Sequence, residues 1–343
     1  MLQARLVDKE RIVVEDVEMP EVGEREVLIN VKVCGVCGSD IHFYEDRHPF
    51  IHPRMVLGHE FSGVVHKIGD KVNEVGVGDK VTVEPIIACG NCYNCLRNRH
   101  NICLNLKFIG AFGYDGGFTE YVKVPADIVI KVPTSMSFED AALIEPLAVG
   151  VHAVRRSELK IGNKAIVFGA GTIGLLTMQA IKSAGSSHII VVDPIESRLK
   201  VALNMGADEA IKPDELDKIV ENKLGSERAD IIFDCVGIED TINKAIVIAR
   251  PGSKIVLIGC SPEEKVGTKL IYIQNNEIDL LGSVTYARED FLAAISLVST
   301  NKAQVNKIVT HRVSLNEIDK AFKIMLNRED NAIKVLVVNE KID

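Results

Sequence analysis

Apolar and polar positions change rhythm once along this chain. In roughly the first 150 residues they form short β-branched runs broken by Gly, Asp or Pro: REVLINVKVCG (25–35), FSGVVHKIG (61–69), DKVTVEP (79–85), TEYVKVP (119–125) and DIVIKVP (127–133). Runs of this length between turn residues predict strands, and their density predicts a compact, mostly β domain built around loops. After Ala148 the pattern lengthens. KAIVFGAGTIGLLTMQAIKSAG (164–185) reads as a strand, a glycine turn and a helix closed by glycine. HIIVVDPIESRLKVALNMGA (188–207) repeats it, and ADIIFDCVG (229–237) with EDTINKAIVIARPGSKIVLIGC (239–260) supplies further units. Such alternation predicts an α/β, doubly wound parallel sheet, with IDLLGSV (278–284) as its last strand. Two helical stretches and a closing strand, AIKVLVVNE (332–340), follow Tyr286.

A chain of 343 residues is long for one core and suggests two domains. The net charge of -8 is spread over mixed acidic and basic residues, without the basic block that nucleic acid requires. The N-terminus MLQARLVDKERIVVEDVEMP meets charge at Arg5, so it lacks a secretory apolar core, and no apolar run reaches membrane-span length. Eight cysteines are too sparse for a small disulfide scaffold, which makes a reducing, cytoplasmic compartment the expectation. Clustered cysteines then point to metal.

Gly169, Gly171 and Gly174 form G-x-G-x-x-G directly after the strand Ala165 to Phe168. Gly169 suits the tight turn, Gly171 lets backbone approach a pyrophosphate, and Gly174 lets the helix pack against the strand. The N–H groups of the helix start, with Thr172 and Ile173 inside the motif, would face the phosphate charge. The next strand ends in Asp193, nineteen residues after Gly174, where a carboxylate can accept both hydroxyls of an adenine ribose and repel the extra phosphate of NADP. NAD is the expected cofactor, although Arg198 close by could accept a phosphate.

Cys89, Cys92, Cys95 and Cys103 lie within fifteen residues, spaced so that one loop can wrap four thiolates around an ion. Four sulfurs favour a closed, structural zinc, with an iron–sulfur centre as the alternative. His100 lies inside the cluster but is not needed by a saturated tetrahedral site. A second set is mixed. Cys37 in VCGVCGSDIHFY, His59 in VLGHEFSG and a carboxylate offer a thiolate, an imidazole and an oxygen, the donors of a catalytic zinc with an open position. Cys37 therefore reads as a metal ligand, and Cys34 as a packed core thiol rather than its redox partner.

CGVCGSDIH, GHEFSG, the four-cysteine loop, DGGFTEY, EPLAVG and GAGTIG occur in one order over nearly the whole chain. In this the chain resembles the zinc-dependent medium-chain dehydrogenases, and within them the sorbitol and other polyol (L-iditol 2-) dehydrogenases. The resemblance implies a GroES-like catalytic domain over 1–150 holding both zinc sites, a Rossmann NAD-binding domain over 151–285, and a segment 286–343 that returns to the first domain. It also implies one catalytic and one structural zinc per chain, an active site between domains, and a homo-oligomer, dimer or tetramer. By the same resemblance Cys37 and His59 bind the catalytic zinc, and Glu60 is its carboxylate ligand. Glu145 contacts the zinc-bound water or takes over coordination when the site rearranges; either glutamate could be the resting ligand.

The implied reaction moves hydride between a secondary alcohol and NAD, giving the ketone. Ser39 and His42 are the implied proton relay, while Asp40 is read as orienting the turn. Polyol enzymes commonly carry a tyrosine where this chain has Phe43, and often an arginine in the segment that here contains Thr285; Tyr44 or Tyr286 could compensate. A polyol or vicinal diol is the first substrate class, against threonine at its 3-hydroxyl, polyol phosphates, and simple secondary alcohols or 2,3-butanediol. A nucleotide-binding regulatory protein without turnover is the alternative of a different class. Arg288, His48, His52, His152, His188 and His311 carry no spacing argument beyond surface charge or satisfied polar contact.

Overall fold

The computed structural model describes residues 1–47, 54–261 and 263–339; His48 and His52 lie outside the described residues. The chain forms two compact units, Met1–Glu145 with Val309–Asp343, and Pro146–Ile308.

The first unit is built on a seven-stranded sheet. Its spine is the strand Glu26–Gly35, which runs antiparallel to Glu60–Ile68 on one side and to Tyr121–Pro125 and Lys334–Val338 on the other. Lys80–Val83 and Val129–Lys131 extend one edge, and Val309–Ser314 pairs in parallel with Lys334–Val338 at the other. Val27, Ile29, Val33, Phe61, Val81 and Val335 are completely buried, so the β-branched runs become strands because both faces are covered. A hairpin of Leu2–Asp8 and Arg11–Asp16 lies outside the sequence expectation, with Glu10 in the left-handed region of its turn at φ 53°.

The second unit is a six-stranded sheet, parallel throughout. Its order in space is Glu209–Ile211, His188–Val192, Lys164–Phe168, Ala229–Asp234, Ala249–Leu257 and Asp279–Gly282. In chain order this is the 3-2-1-4-5-6 arrangement of a dinucleotide-binding fold. Ile166, Phe168, Ile190, Val192, Ile232 and Ile255 form the core beneath the helices, each buried side chain contributing about 1.5–3 kcal/mol. Among the described residues no helix is long and apolar enough to cross a membrane.

Candidate metal centres and nucleotide loop

The mixed donor set gathers at one end of the first sheet. Cys37 follows the spine strand as the N-cap of the short helix Gly38–Tyr44, and His59 immediately precedes the strand Glu60–Ile68. Because Gly35 pairs with Glu60 across these strands, Cys37, His59 and Glu60 leave the sheet at the same edge. Their ligand atoms lie within 4.8 Å of one another. The His59 ring packs edge-on against Phe108, with centroids 5.4 Å apart, and is almost fully buried. Burial opposes charge on His59, yet the Asp40 carboxylate and Cys37 outweigh it and hold its pKa well above the usual imidazole range. Asp40, Cys37 and Glu145 around the ring make this an anionic pocket, and a metal ion satisfies the same field. Sulfur, nitrogen and oxygen donors gathered to within 4.8 Å of one another fit a single zinc.

Glu145 is buried in the first turn of the helix Ile144–Ser157, and its charge raises the pKa of both His59 and Lys334. Glu60, and not Glu145, completes the three-donor cluster among the described residues. Cys34 is buried in the spine strand, and burial pushes its thiol pKa well up; this is a core thiol. Ser39 is exposed and His42 half-buried, three positions apart on one helix and so on one face. The two tyrosines that could restore polar reach are committed elsewhere. Tyr44 packs at a tilt against Phe322 and donates its hydroxyl to Asp319 at 3.2 Å, and Tyr286 is fully buried against Phe291.

The four-cysteine loop closes on itself. Sulfur–sulfur distances are 3.4 Å for Cys89–Cys103, 3.5 Å for Cys92–Cys95, 3.9 Å for Cys92–Cys103 and 4.0 Å for Cys89–Cys95. A tetrahedral zinc with Zn–S near 2.3 Å has edges of about 3.8 Å, so the sulfurs are spaced for one ion and leave no room for a multi-iron cluster. Backbone N–H groups of Cys89 and Asn105 point at Cys103 Sγ at 3.3 and 3.4 Å, and backbone N–H groups of Leu104 and Cys95 pull the Cys92 thiol down to about 6. His100 is not a ligand: its Nε2 lies 3.0 Å from Glu84, a buried carboxylate.

In the second unit, Gly169 takes φ 94°, the left-handed turn that glycine favours. A Cβ on Gly174 would stand 1.8 Å from the Gly169 carbonyl oxygen, so the helix Thr172–Ser183 can approach the strand only without one. A Cβ on Gly171 would meet nothing nearer than Arg198 Nη1 at 4.0 Å, which leaves an open cradle beside the first helical residues, Thr172 and Ile173. Asp193 is buried, with Oδ2 accepting the Ala170 N–H and Oδ1 the Ile195 N–H, both at 2.8 Å. Asp193 is thereby tied to the glycine loop, and Arg198 stands on the loop's open side.

Asp40 orients the turn, as its sequence reading has it, and reaches further, while Lys334 escaped that reading. Asp40 touches both Cys37 and the neighbourhood of His59, and Lys334 forms a buried ion pair with Glu60. For Lys334 the signal was present: a lysine amid the apolar run AIKVLVV.

Two family models divide the chain between them: residues 23–134 match the alcohol dehydrogenase GroES-like domain, and residues 172–300 match the zinc-binding dehydrogenase. The chain belongs to the zinc-dependent medium-chain dehydrogenase/reductase family. It is 34% identical over 337 residues to D-xylulose reductase of Saccharomyces cerevisiae, covering 95% of this chain and 94% of that one. It is 32% identical over 342 residues to sorbitol dehydrogenase of Bacillus subtilis, covering 98% and 97%. A crystal structure of an Escherichia coli oxidoreductase/dehydrogenase of unknown specificity superposes with a TM-score of 0.94 at 33% identity, covering 99% of both chains. With the GroES-like and Rossmann folds and both ligand sets assembled, the chain is a zinc-type, NAD-dependent oxidoreductase acting on a secondary alcohol or polyol.

Proposed function

We propose that the protein oxidises the secondary carbinol of an open-chain polyol or vicinal diol to the ketone with NAD, or reduces the ketone in reverse. The observation that carries this is the mixed cluster of Cys37, His59 and Glu60, whose ligand atoms lie within 4.8 Å. Zinc bound there supplies a Lewis acid for the substrate oxygen, and NAD supplies the hydride acceptor. Ser39 Oγ accepts the substrate hydroxyl proton and releases its own toward His42, which passes it to solvent. The 169–174 glycine loop binds the pyrophosphate at the start of the helix Thr172–Ser183, and Asp193 takes the ribose hydroxyls. Cys89, Cys92, Cys95 and Cys103 hold the structural zinc. Residues 1–145 with 309–343 carry the metal chemistry and 146–308 the cofactor, so the segment that completes the first unit starts at Val309 rather than at 286.

The relatives named above support a polyol-type substrate. Phe43 and the buried Tyr44 narrow that class toward shorter diols, because fewer polar groups line the neighbourhood of the relay. A panel of polyols, polyol phosphates, threonine and 2,3-diols, with NAD and NADP, tests this. NAD-linked turnover of a polyol or vicinal diol is expected; turnover confined to threonine or to phosphorylated substrates would overturn it.

The edge strand Asp279–Gly282 exposes Leu280, and the preceding helix Leu270–Asn275 exposes Leu270, Ile271 and Tyr272. An uncovered apolar edge of this kind suits pairing with a second copy, and we assign it to a homodimer or to a tetramer built from dimers. Light scattering should give a multiple of the 37.6 kDa chain mass, and Leu280→Lys should reduce it. Eight unbridged cysteines fit a cytoplasmic setting.

A further inference from the structure

Glu60 has a second claimant. Lys334 begins the strand Lys334–Val338, is almost completely buried, and donates from Nζ to Glu60 Oε2 at 2.7 Å, Glu60 Oε1 at 2.9 Å and the Val36 carbonyl oxygen at 3.0 Å. The ammonium group has three protons, and these three acceptors use them all. The sheet makes the pairing possible. The spine strand runs between the strands that carry Glu60 and Lys334, and at its end Gly35 pairs with Glu60 on one side and Leu336 on the other. A Cβ on Gly35 would lie 2.1 Å from Glu60 Oε2, so the missing side chain is the gap through which the carboxylate reaches the lysine. Both carboxylate oxygens on one ammonium group make this a buried ion pair at the edge of the metal donors.

We propose that Lys334 is a positioning residue that competes with the catalytic metal for Glu60, keeping this carboxylate a weak, exchangeable ligand beside the firm ligands Cys37 and His59. A carboxylate that donates electron density to a bound ammonium has less to give a dication, and the fixed positive charge beside the site also repels the metal. The coordination sphere is thereby kept from closing on four protein atoms, and an open position is what a catalytic zinc requires. The inference rests on the zinc reading of this cluster.

Chelator competition on the full-length protein, depleted of metal at this site and titrated with zinc, measures the effect. Lys334→Met preserves length without charge and is expected to bind zinc about tenfold tighter or more, since Glu60 then turns to the metal. Its cobalt-substituted form should show an altered visible spectrum, because a carboxylate oxygen joins the sphere. Unchanged or weaker zinc affinity in folded Lys334→Met would overturn the proposal. Should that variant fail to fold, the double variant Glu60→Gln with Lys334→Met carries no unpaired buried charge. Its zinc affinity should stay within about tenfold of wild type if Glu60 is a weak ligand; a larger loss would make Glu60 a firm ligand and end the proposal. Wild-type protein that takes up only the four-cysteine zinc would overturn the zinc reading itself, and this inference with it.

Discussion

Asp40 Oδ2 accepts the Cys37 backbone N–H at 2.9 Å, while Asp40 Oδ1 stands 3.7 Å from His59 Nδ1. One buried carboxylate thus holds the Cys37 backbone by a hydrogen bond and lies beside the imidazole, near enough for charge but beyond hydrogen-bond reach. Burial raises its pKa to about 6, against the opposing pull of His59. A carboxylate behind a metal-binding imidazole fixes the ring and raises its basicity. Asp40→Asn keeps an acceptor for the Cys37 N–H but loses the charge, and zinc affinity should fall about 10–100-fold in chelator competition. An unchanged affinity would reduce Asp40 to a helix cap.

The two metal sites should fail differently. Cys37→Ser replaces a soft donor at the mixed site, so alcohol oxidation should drop by about a thousandfold or more while NADH binding, read by fluorescence, stays within about threefold. Cys95→Ser breaks the closed cluster instead and should lower the melting temperature by about 5 °C or more with loss of one zinc. Full turnover in the first variant, or an intact zinc count and melting temperature in the second, would reverse these assignments.

Asp193 has two duties that one substitution separates poorly. Asp193→Gly should raise the NADP-to-NAD ratio of kcat/KM by about a hundredfold, through loss of charge repulsion and of the ribose acceptor. The same change strips the acceptors from the Ala170 and Ile195 N–H groups, so a stability loss of about 1–3 kcal/mol should accompany it. Denaturant unfolding and steady-state kinetics read the two effects independently, and an unmoved cofactor ratio would remove Asp193 from the ribose site.

Asp290, fully buried, accepts the Ala287 N–H at 2.9 Å, lies 2.7 Å from His152 Nδ1, and has Arg155 Nε 2.6 Å from Oδ1. Burial opposes its charge, but the His152 hydrogen bond, the Ala287 N–H and the charges of His152 and Arg155 together hold its pKa below the usual aspartate value. A carboxyl whose folded pKa lies below its unfolded one stabilises the fold fully above the unfolded value, about 3.9, and loses that contribution as pH falls through the folded value. Asp290→Asn should therefore cost about 1–3 kcal/mol at pH 7, with the gap to wild type closing below about pH 4. A pH-independent gap would mean the charge contributes nothing.

Legibility in the sequence followed the range of the interaction. The glycine loop and the four-cysteine loop are written in contiguous residues, because a tight turn and a closed metal loop each impose their own spacing. The N-terminal hairpin was not read: charges at Asp8, Lys9 and Glu10 mask a turn whose strands are recognisable only once they pair. Asp40 looked like a local cap because its second neighbour, His59, comes from a distant segment just before the strand Glu60–Ile68. Tyr44 and Tyr286 could not be aimed from sequence, since Phe322 and Phe291, which fix them, pack on them only in the folded chain.

Lys334 and Glu60 are separated by 274 positions in the chain. On the ribosome, Glu60 emerges long before its counter-ion exists, and all of residues 146–308 are translated in between. A nascent chain paused before Lys334 exposes the unpaired rim of its spine strand beside an uncompensated carboxylate. The first unit therefore cannot complete its central sheet until its last strand has been synthesised.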